Sequence, residues 1–498
     1  MNLSEERIRL IFGLKLRQLR IEKGLLLTDL ATKAGLSISY LNEIEKGKKY
    51  PKTDKIALLA NALDTPYDSL VSLKLSKQLA PLADLLNSNF LDEIPLSVFG
   101  ISTAKVVEMM ANAPAKVNAF ISALMDIARN YNMTQKQFLS AALQSYQELH
   151  ENYFDDLEDA VERFFVEFDI NTSEPISNDF LEDVLKNRFN TIIDNEGLDN
   201  YPELIGFRAL FIKGNPYRLL IDKNLSERQK KFLLAKEIGY HYLGLDITQR
   251  TYIYKSWVNT HTFDHALINF KASYFAGALL LPKEPLIDDI SAFFTNPSWN
   301  AEGLMHILEK YQSTPETFMY RLTNLLPKFF NLHHLFFLRF NHKTNTDFYD
   351  LSKELHLSQR HNPHSNKWGE HYCRRWLSID IFNKLDARPN ANVIVDMQRS
   401  KYYDSKNEYL VISMARHVLL NPGSNISITI GLLINPELKR KIKFWDDETL
   451  PTRRVSVTCE RCGITDCQER VAEPIIFEEN KQIQSIVHLI QKLNLNAK

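Results

Sequence analysis

Residues 28–47 constrain the fold more than any other part of this chain, because they describe two short helices joined by a glycine turn. The segment reads TDLATKAGLSISYLNEIEKG. Gly35 supplies the turn, and Ser37 is a residue type that caps the start of a helix. Leu41 and Ile44 give the second helix an apolar stripe at helical spacing. The pattern predicts a helix-turn-helix, whose second helix enters the major groove of DNA.

The side chains that this pattern leaves outward can reach base edges and phosphates. We expect DNA contacts from Thr28, Ser37, Ile38, Ser39, Tyr40, Asn42, Glu43, Lys46, Lys48 and Lys49. Local positive charge governs the attraction to phosphates, and the net charge of the whole chain is only -1. The basic residues around the motif are Lys15, Arg17, Arg20, Lys23, Lys33, Lys46, Lys48, Lys49, Lys52 and Lys55. The alternative is that they form ordinary solvated helix faces.

The segment resembles the helix-turn-helix of phage repressors and Cro, the XRE family, in which a G-x-S-x-x-Y-L-x-x-I-E-x-G run recurs. The resemblance covers roughly residues 8–70. It implies an all-α, lambda-repressor-like domain, which we place at residues 1–73, and a homodimer that reads double-stranded operator DNA. It also implies that Arg20 and Glu45 pair inside the domain, and that Thr28 contacts a phosphate.

The length of 498 residues predicts about three domains of ordinary size. The sequence contains no N-terminal signal segment and no run of about 18 apolar residues, so we expect a cytoplasmic protein without a membrane partner. Four cysteines in so long a chain do not suggest a disulfide scaffold.

Residues 74–168 read as a helical connector that either carries a dimer contact or acts as a spacer. Val117, Ile121 and Leu124 repeat there at helical spacing. Residues 145–165 are predicted to form one acidic amphipathic helix. Its acidic side chains are expected to face solvent, and they are Glu148, Glu151, Asp155, Asp156, Glu158, Asp159 and Glu162.

Residues 232–244, FLLAKEIGYHYLG, have the apolar frame of a helix that carries the zinc-protease motif H-E-x-x-H. Lys236 and Tyr240 stand where that motif has its two histidines, and only Glu237 remains. His241 lies one residue too late, about 100° around the helix, so it cannot replace the lost ligand. Catalytic zinc is therefore not expected, and the protein is not expected to be an enzyme.

Residues 269–282, NFKASYFAGALLLP, are similar to the second helix of the ImmA/IrrE-type peptidase-like domain, in which an acidic third ligand precedes such a run. Asn269 stands at the aligned position here. The resemblance implies a degenerate, zincin-like domain at residues 169–331 that has been kept as a ligand sensor, since a vacated cleft stays concave. The alternative is that Lys236 and Tyr240 are ordinary helix-surface residues.

Residues 332–498 alternate apolar and polar positions in four runs, which begin near residues 335, 391, 408 and 424. These runs predict strands of an antiparallel sheet, followed by a helix near residues 480–493. We expect a GAF- or PAS-like sensor domain. The predicted fold class is a multidomain protein, mainly α, with an α+β C-terminal part.

Cys459, Cys462 and Cys467 form a C-x2-C-x4-C run, and Cys373 is the only other cysteine. Clustered thiolates favour zinc or an iron-sulfur cluster. Either site usually has four ligands, so Cys373 or the nearby His371 is the candidate for the fourth position. Three reduced thiols without a metal are the alternative.

The whole arrangement resembles the bacterial regulators of short-chain fatty acid and propionate catabolism, of the ScfR, RamB or PrpR type. The runs SYQELHENYFDDLEDAVERF and FKASYFAGALLLP carry the likeness. It implies a short-chain acyl-coenzyme A, or coenzyme A, as effector in the central domain and a [4Fe-4S] cluster on the cysteines. The residues expected to bind the effector are Arg208, Lys213, Arg218, Lys223, Lys236 and Tyr240.

Two other functions stay open from the sequence. One is a phage- or antitoxin-type repressor with an inert scaffold behind its DNA-binding domain. The other is a zinc peptidase that cleaves a repressor partner, and the loss of the two histidine positions argues against it.

Overall fold

Contacts within the chain divide it into two units. Unit 1 comprises residues 1–146 with 260–266, and unit 2 comprises residues 147–259 with 267–498. The computed structural model describes residues 5–72, 135–204, 206–245, 263–357, 369–418 and 423–496. The predicted helical repeat at Val117, Ile121 and Leu124 lies outside these described residues. The division into four segments, residues 1–73, 74–168, 169–331 and 332–498, stays a prediction.

Five helices form the N-terminal part of unit 1. They are α1 (Glu5–Glu22), α2 (Leu27–Ala34), α3 (Ile38–Glu45), α4 (Thr53–Ala62) and α5 (Tyr67–Val71). Leu30, Leu41 and Ile44 are fully buried in their common core. Helix α1 approaches α3 so closely that a Cβ at Gly13 would lie 2.3 Å from the carbonyl oxygen of Ile44. The predicted helix-turn-helix corresponds to α2 and α3.

Two of the basic residues around the motif form hydrogen bonds within this helical domain. The Lys15 side chain is buried, and its amine donates to the carbonyl oxygen of Ser69 at 2.9 Å and to Ser72 Oγ at 2.8 Å. Arg20 Nε and Nη2 donate to the two carboxylate oxygens of Glu45 at 2.6 and 2.9 Å, which confirms the predicted internal pair. Including Lys15 in the basic surface was therefore wrong, because α5 supplies carbonyl partners that only the folded domain brings near.

Between residues 135 and 330 the described chain forms eight helices and a small three-stranded sheet. The helices are α6 (Gln135–Leu149), α7 (Asp155–Glu167), α8 (Asn178–Phe189), α9 (Glu227–Tyr242), α10 (Phe263–Leu280), α11 (Lys283–Phe294), α12 (Ala301–Lys310) and α13 (Pro315–Phe330). The strands are β1 (Thr191–Asp194), β2 (Ala209–Ile212) and β3 (Tyr217–Ile221). Their order is β1-β3-β2, with β1 parallel and β2 antiparallel to β3. Two short 3₁₀ turns, Gly197–Asn200 and Pro202–Leu204, follow β1.

The prediction of one acidic helix at residues 145–165 was wrong. Glu151 and Asn152 adopt left-handed backbone angles, with φ of 50° and 54°, and they separate α6 from α7. Glu158 does not face solvent, because Arg321 Nη2 donates to its Oε2 at 2.9 Å and the Tyr274 hydroxyl donates to its Oε1 at 2.7 Å. The period of the helix predicts which residues share a face, but it does not reveal that Arg321 will meet this carboxylate.

The C-terminal part of unit 2 is built on a six-stranded sheet. Its elements are β4 (Leu335–Lys343), β5 (Tyr349–His356), α14 (Leu377–Asp386), β6 (Ile394–Tyr402), β7 (Glu408–His417), β8 (Ser424–Leu433), α15 (Pro436–Lys441), β9 (Thr452–Val455) and α16 (Ile475–Asn496). The order is β5-β4-β8-β7-β6-β9, and all neighbours are antiparallel except β6 and β9. The four predicted strands and the C-terminal helix are confirmed, whereas the GAF- or PAS-like identity stays a prediction.

The two faces of this sheet are covered by different elements. On one face, Phe336 and Phe340 pack with Phe382 of α14 and with Cys373. On the other face, Phe337 shares a core with Phe318 of α13 and with residues of α11 and α12. The helical segment before residue 331 and the sheet after it are therefore joined by one hydrophobic core. Among the helices that the structure describes, none has the length and apolar character needed to cross a membrane.

Candidate functional site

Two local signals before α3, the second helix of the motif, determine how that helix begins. Ser37 Oγ accepts the backbone N–H of Tyr40 at 3.2 Å, which is the cap that the sequence predicts. Gly35, with φ of 65°, ends α2 in the left-handed conformation that favours glycine. The turn therefore fixes the direction in which α3 leaves α2.

The outward face of α2 and α3 consists of the residues predicted to contact DNA. Leu41 and Ile44 are fully buried on the opposite side of α3. The exposed members of the predicted set are Thr28, Ser37, Ile38, Ser39, Lys46, Lys48 and Lys49, and the half-buried members are Tyr40, Asn42 and Glu43. All ten side chains thus have at least partial access to solvent.

Glu43 has a local partner within this face. Lys49 Nζ lies 2.9 Å from Glu43 Oε2 and 5.8 Å from the centre of the Tyr40 ring. Lys49 donates this hydrogen bond to the Glu43 carboxylate, which raises the pKa of Lys49. Lys49 therefore lies across the surface of α3. From this position its ammonium can leave the Glu43 carboxylate and pair with a phosphate.

A second candidate site lies where α9 crosses α10. A Cβ on Gly239 would lie 3.1 Å from the carbonyl oxygen of Ala272, so glycine permits the close approach of the two helices. The Tyr240 hydroxyl donates to Asn269 Oδ1, and Lys236 Nζ lies 3.5 Å from the same oxygen. The three residues at the positions of the lost zinc ligands therefore converge on one point.

Glu237 and His241 lie next to this point but form a separate pair. Glu237 is fully buried, and its Oε1 lies 3.1 Å from His241 Nε2. The His241 ring stacks on Phe189 with 4.9 Å between ring centres. This position agrees with the prediction that His241 does not replace Tyr240 at the vacated site.

Several cations surround the convergence point. Burial lowers the pKa of Lys236 to about 8, and the positive charges of Lys353 and Arg208 act in the same direction. Burial also lowers the pKa of Lys353 to about 8. Lys353 extends from β5, and its ammonium lies 3.5 Å from the centre of the Tyr320 ring. Two destabilised ammonium groups therefore share one environment.

Glu316, in the first turn of α13, is a carboxylate that interacts with Lys353 and Arg208 of this group. Burial opposes its ionisation, yet Arg339, Lys353, Arg208 and Arg416 together hold its pKa at about 2. Arg339 Nε lies 3.1 Å from Glu316 Oε2. Sequence reasoning found only Arg208 and Lys236 of this set. The others lie after α12 in the chain, and no motif marks them.

The remaining residues predicted to bind the effector lie elsewhere. Lys213, Arg218 and Lys223 are all exposed. Arg218 Nη2 pairs with Asp194 Oδ2 at 2.8 Å, and Lys223 Nζ pairs with Asp199 Oδ2 at 2.5 Å. The fold therefore joins Arg208, Lys236 and Tyr240 and does not bring the other three to them.

A third candidate site is the loop of residues 459–467, which contains three of the four cysteines. The backbone N–H of Cys373 donates to the carbonyl oxygen of Val457 at 3.1 Å, and that of Cys459 donates to His371 at 2.8 Å. These bonds form an antiparallel bridge that brings Cys373 beside the triplet. Cys373 is near enough for the charges of Cys459 and Cys462 to raise its pKa.

Arg470 organises the backbone of this loop. Its guanidinium donates to the carbonyl oxygens of Cys459, Cys462 and Ile464 at 3.1, 3.0 and 2.7 Å. His371, the alternative fourth ligand, directs Nδ1 at Glu460 Oε1, 2.7 Å away. The fold therefore favours Cys373 over His371 as the neighbour of the triplet.

The thiols suit a soft metal in type, and their spacing is not that of a formed site. Cys373, Cys459 and Cys462 are buried, and Cys467 is half-buried. Burial raises the pKa of Cys373 to about 11, so without a bound cation this group stays a thiol. Within the described ranges, no three His, Cys, Asp or Glu side chains are placed to hold a metal ion.

Comparison with known families identifies two parts of the chain. Residues 16–70 match the family described as helix-turn-helix, and residues 199–323 match the IrrE N-terminal-like domain. The chain carries an XRE-type helix-turn-helix domain and an IrrE-like domain. The first match contains α2 and α3, and the second contains the Lys236, Tyr240 and Asn269 convergence.

One curated relative matches a short part of the chain. The HTH-type transcriptional repressor RghR of Bacillus subtilis (strain 168) is 44% identical over 61 residues, which are 12% of this chain and 45% of that protein. The chain thus spans about half the length of this curated relative.

Two solved structures are similar to parts of the chain. A Mycobacterium tuberculosis transcriptional regulator is 18% identical with a TM-score of 0.46, covering 66% of this chain and 92% of that one. The restriction-modification controller protein C.AhdI from Aeromonas hydrophila is 39% identical with a TM-score of 0.12, covering 12% and 94%.

Proposed function

We propose that this protein is a sequence-specific DNA-binding transcriptional regulator that acts as a homodimer on two half-sites. The observation that carries the proposal is the orientation of α3, which buries Leu41 and Ile44 and directs Ser39 and Asn42 outward. Recognition helices of this type present such side chains to the major groove. The name of the relative RghR, a transcriptional repressor, supports the same function.

DNA recognition can be tested by comparing Asn42→Ala with Lys48→Ala on an operator selected from random DNA. We expect Asn42→Ala to reduce the preference for the operator, because an asparagine side chain reads a base edge. Lys48→Ala should weaken all sequences alike and reduce the salt slope by about 1, because it removes one phosphate contact. Lys406→Ala, an exposed lysine outside unit 1, is the control. Equal losses on every sequence from both variants would contradict this division.

We also propose that the cluster around Lys236 binds an anionic effector, a short-chain acyl-coenzyme A or coenzyme A. The cluster holds more cations than carboxylates, and burial has already lowered the pKa of Lys236 and Lys353. An anion in contact with these ammonium groups would offset the cost of their burial. Coenzyme A offers phosphates for this purpose, and arginine binds phosphate through paired donors.

Melting curves with a short acyl-coenzyme A, coenzyme A and the matching free acid test this proposal. We expect the coenzyme A compounds to raise the melting temperature and the free acid to leave it unchanged. In Lys353→Met, the coenzyme A compounds should no longer raise the melting temperature. Lys406→Met, exposed and remote from the cluster in sequence, should keep the shift. An unchanged melting temperature with every compound would contradict the proposed effector and favour a repressor whose DNA-binding domain is attached to an inert scaffold.

We propose further that Cys459, Cys462 and Cys467 hold a [4Fe-4S] cluster, with Cys373 as the fourth residue, and that structural zinc is the alternative. Four thiols in one neighbourhood support either assignment. A bound cluster would supply a redox-sensitive centre. Anaerobically purified protein should be coloured, and Cys462→Ser should bleach it. A colourless protein with one equivalent of zinc would decide for the alternative.

No catalytic activity is part of this proposal. The peptidase chemistry of intact relatives needs two histidines and an acidic ligand around one zinc ion. Lys236, Tyr240 and Asn269 replace them, and the Lys236 ammonium would repel a dication. Purified protein incubated with zinc and a repressor-type protein should therefore leave that protein uncleaved.

A further inference from the structure

Helix α16, the last element of the chain, exposes a set of large apolar side chains. Ile483 is 58% exposed, Ile486 is 50% exposed, Val487 is 47% exposed and Ile490 is 52% exposed. Every residue from 478 to 492 is exposed to solvent. Residues 478–492 of this helix therefore present an apolar surface that the described part of the chain does not cover.

Four of the exposed apolar residues lie on one side of α16, and Leu489, which is 55% exposed, lies about 60° beyond them. At about 100° per residue, Ile483, Ile486, Val487 and Ile490 fall within an arc of about 100°. This width is typical of a helix face that packs against another element. The spacing from Ile483 to Ile486 to Ile490 alternates three and four residues, as in helices that pair along their length.

The first turn of α16 is anchored on the cysteine loop. The backbone N–H of Phe477 donates to the carbonyl oxygen of Glu460 at 3.0 Å. The Phe477 ring lies so close to Gly463 that a Cβ there would be 2.5 Å from Cζ. The ring also meets Tyr403 edge-on, with 6.1 Å between ring centres. The helix thus starts from a fixed position.

We propose that α16 is the dimerisation helix of this protein and packs its apolar face against α16 of a second copy. The charge pattern argues for this occupant. No Asp, Glu, Lys or Arg occurs from Gln482 to Gln491. A helix that lies on a membrane surface usually carries lysine and arginine on its polar face, and a charged protein partner would need complementary charges here. The same uncharged segment in a second copy needs neither basic residues nor complementary charges.

The size of the face sets the expected strength of the dimer. Each half-exposed aliphatic side chain offers on the order of 100 Å² of surface. The four side chains of the face therefore bury about 400 Å² per copy, below the roughly 800 Å² per partner of a standard interface. We therefore expect a dimer that dissociates on dilution. Binding to two adjacent half-sites on DNA should stabilise this dimer.

The test is the mass of the full-length protein in solution without DNA, measured by sedimentation at several concentrations. We expect twice the chain mass of 57.8 kDa at high concentration. Ile486→Glu and Ile490→Glu should each shift the equilibrium to the monomer by at least tenfold in dissociation constant. Ser485→Glu is the matched control, because it adds the same charge on the opposite side of α16 and should leave the dimer intact.

Circular dichroism should show that all three variants remain folded, since each substituted residue is exposed. A wild-type monomer at every concentration would overturn the proposal, as would a dimer that Ile486→Glu and Ile490→Glu leave unchanged. Co-sedimentation of the wild-type monomer with phosphatidylglycerol vesicles, lost in both variants, would assign the face to a membrane instead. The proposal rests on the homodimer proposed above. Its outcomes are measured without DNA, so they are distinguishable from a failure of operator recognition.

Discussion

At the residue scale, we expect individual buried charges to change the stability of unit 2, and Lys236 is the clearest example. Its pKa is about 8 in the folded protein and 10.5 in an ordinary lysine. Between these values the unfolded state binds more protons, so stability rises with pH. Below pH 8 the buried ammonium costs up to about 3 kcal/mol. We expect Lys236→Met to raise the free energy of unfolding at pH 7 by about 2 kcal/mol.

The same substitution should flatten the rise in stability between pH 8 and 10, apart from the share that Lys353 contributes. Urea unfolding at pH 7, 8, 9 and 10 measures both effects. Lys48→Met is the control, since this lysine is exposed and its substitution should change neither stability nor its pH dependence. A Lys236→Met protein with the wild-type profile would show that this ammonium is not destabilised by burial.

The pair of Glu158 and Arg321 is the opposite situation, because here each buried charge has its partner. The side chains are 3% and 1% exposed, and Arg321 keeps the pKa of Glu158 below its usual range although burial opposes this. Removing one charge leaves the other buried alone, which costs about 3–5 kcal/mol. We expect Glu158→Gln to destabilise the protein by about 3 kcal/mol in urea unfolding.

A double-mutant comparison separates this effect from lost packing. Glu158→Gln combined with Arg321→Met removes both charges, and we expect it to recover at least half of the lost stability. If the double variant were as unstable as Glu158→Gln alone, the cost would come from cavities or lost hydrogen bonds with Tyr274, not from an unpaired guanidinium.

At the level of secondary-structure elements, two glycines position the recognition helix and allow a matched comparison. Gly35 and Gly47 have φ of 65° and 67°, so alanine is strained by about 1 kcal/mol at either position. Added atoms meet nothing within 4 Å at Gly35, whereas a Cβ at Gly47 would lie 2.6 Å from Leu10 Cδ2. Gly47→Ala should therefore cost about 1–2 kcal/mol more than Gly35→Ala.

Hydrogen exchange of the α2 and α3 amides measures this difference locally. We expect both variants to lose protection, with the larger loss in Gly47→Ala. Equal losses would mean that Leu10 moves aside without cost. Operator binding at low temperature provides a control, because both variants keep every side chain predicted to contact DNA.

Elements specified by local spacing could be predicted from the sequence, and contacts between distant residues could not. The Ser37 cap, the Gly35 turn and the strands starting near Leu335 and Glu408 depend on neighbours a few residues away. The fate of Glu158 depends on Arg321, which lies 163 positions later. A periodic pattern assigns a face to such a residue but not a partner.

The site where α9 crosses α10 could also be predicted only in part, because contacts between distant residues are not evident from the sequence. The zinc-protease frame identified Lys236, Tyr240 and Asn269, because a known helix pair specifies where those positions meet. Lys353 and Glu316 reach the cluster from β5 and α13, which the frame does not contain. An exposed cation such as Lys213 and the half-buried Lys353 have the same sequence signature, so only the fold distinguishes them.

For the whole molecule, the proposed effector and the operator must influence each other equally. If an acyl-coenzyme A changes the affinity for the operator by some factor, the operator changes the affinity for the acyl-coenzyme A by the same factor. Regulatory couplings of this kind are typically about 5–150-fold. We expect a factor in this range when the effector is titrated calorimetrically with and without saturating operator.

Two variants locate this coupling. Lys353→Met should remove the effect of the effector on operator affinity and leave operator affinity without effector unchanged, because Lys353 belongs to unit 2 and α3 belongs to unit 1. Asn42→Ala should do the reverse: it weakens the preference for the operator and preserves the affinity for the effector in the absence of DNA. Equal effector affinities with and without the operator would show that the two sites are not coupled. The cationic cluster would then bind its ligand for a purpose other than regulating DNA binding.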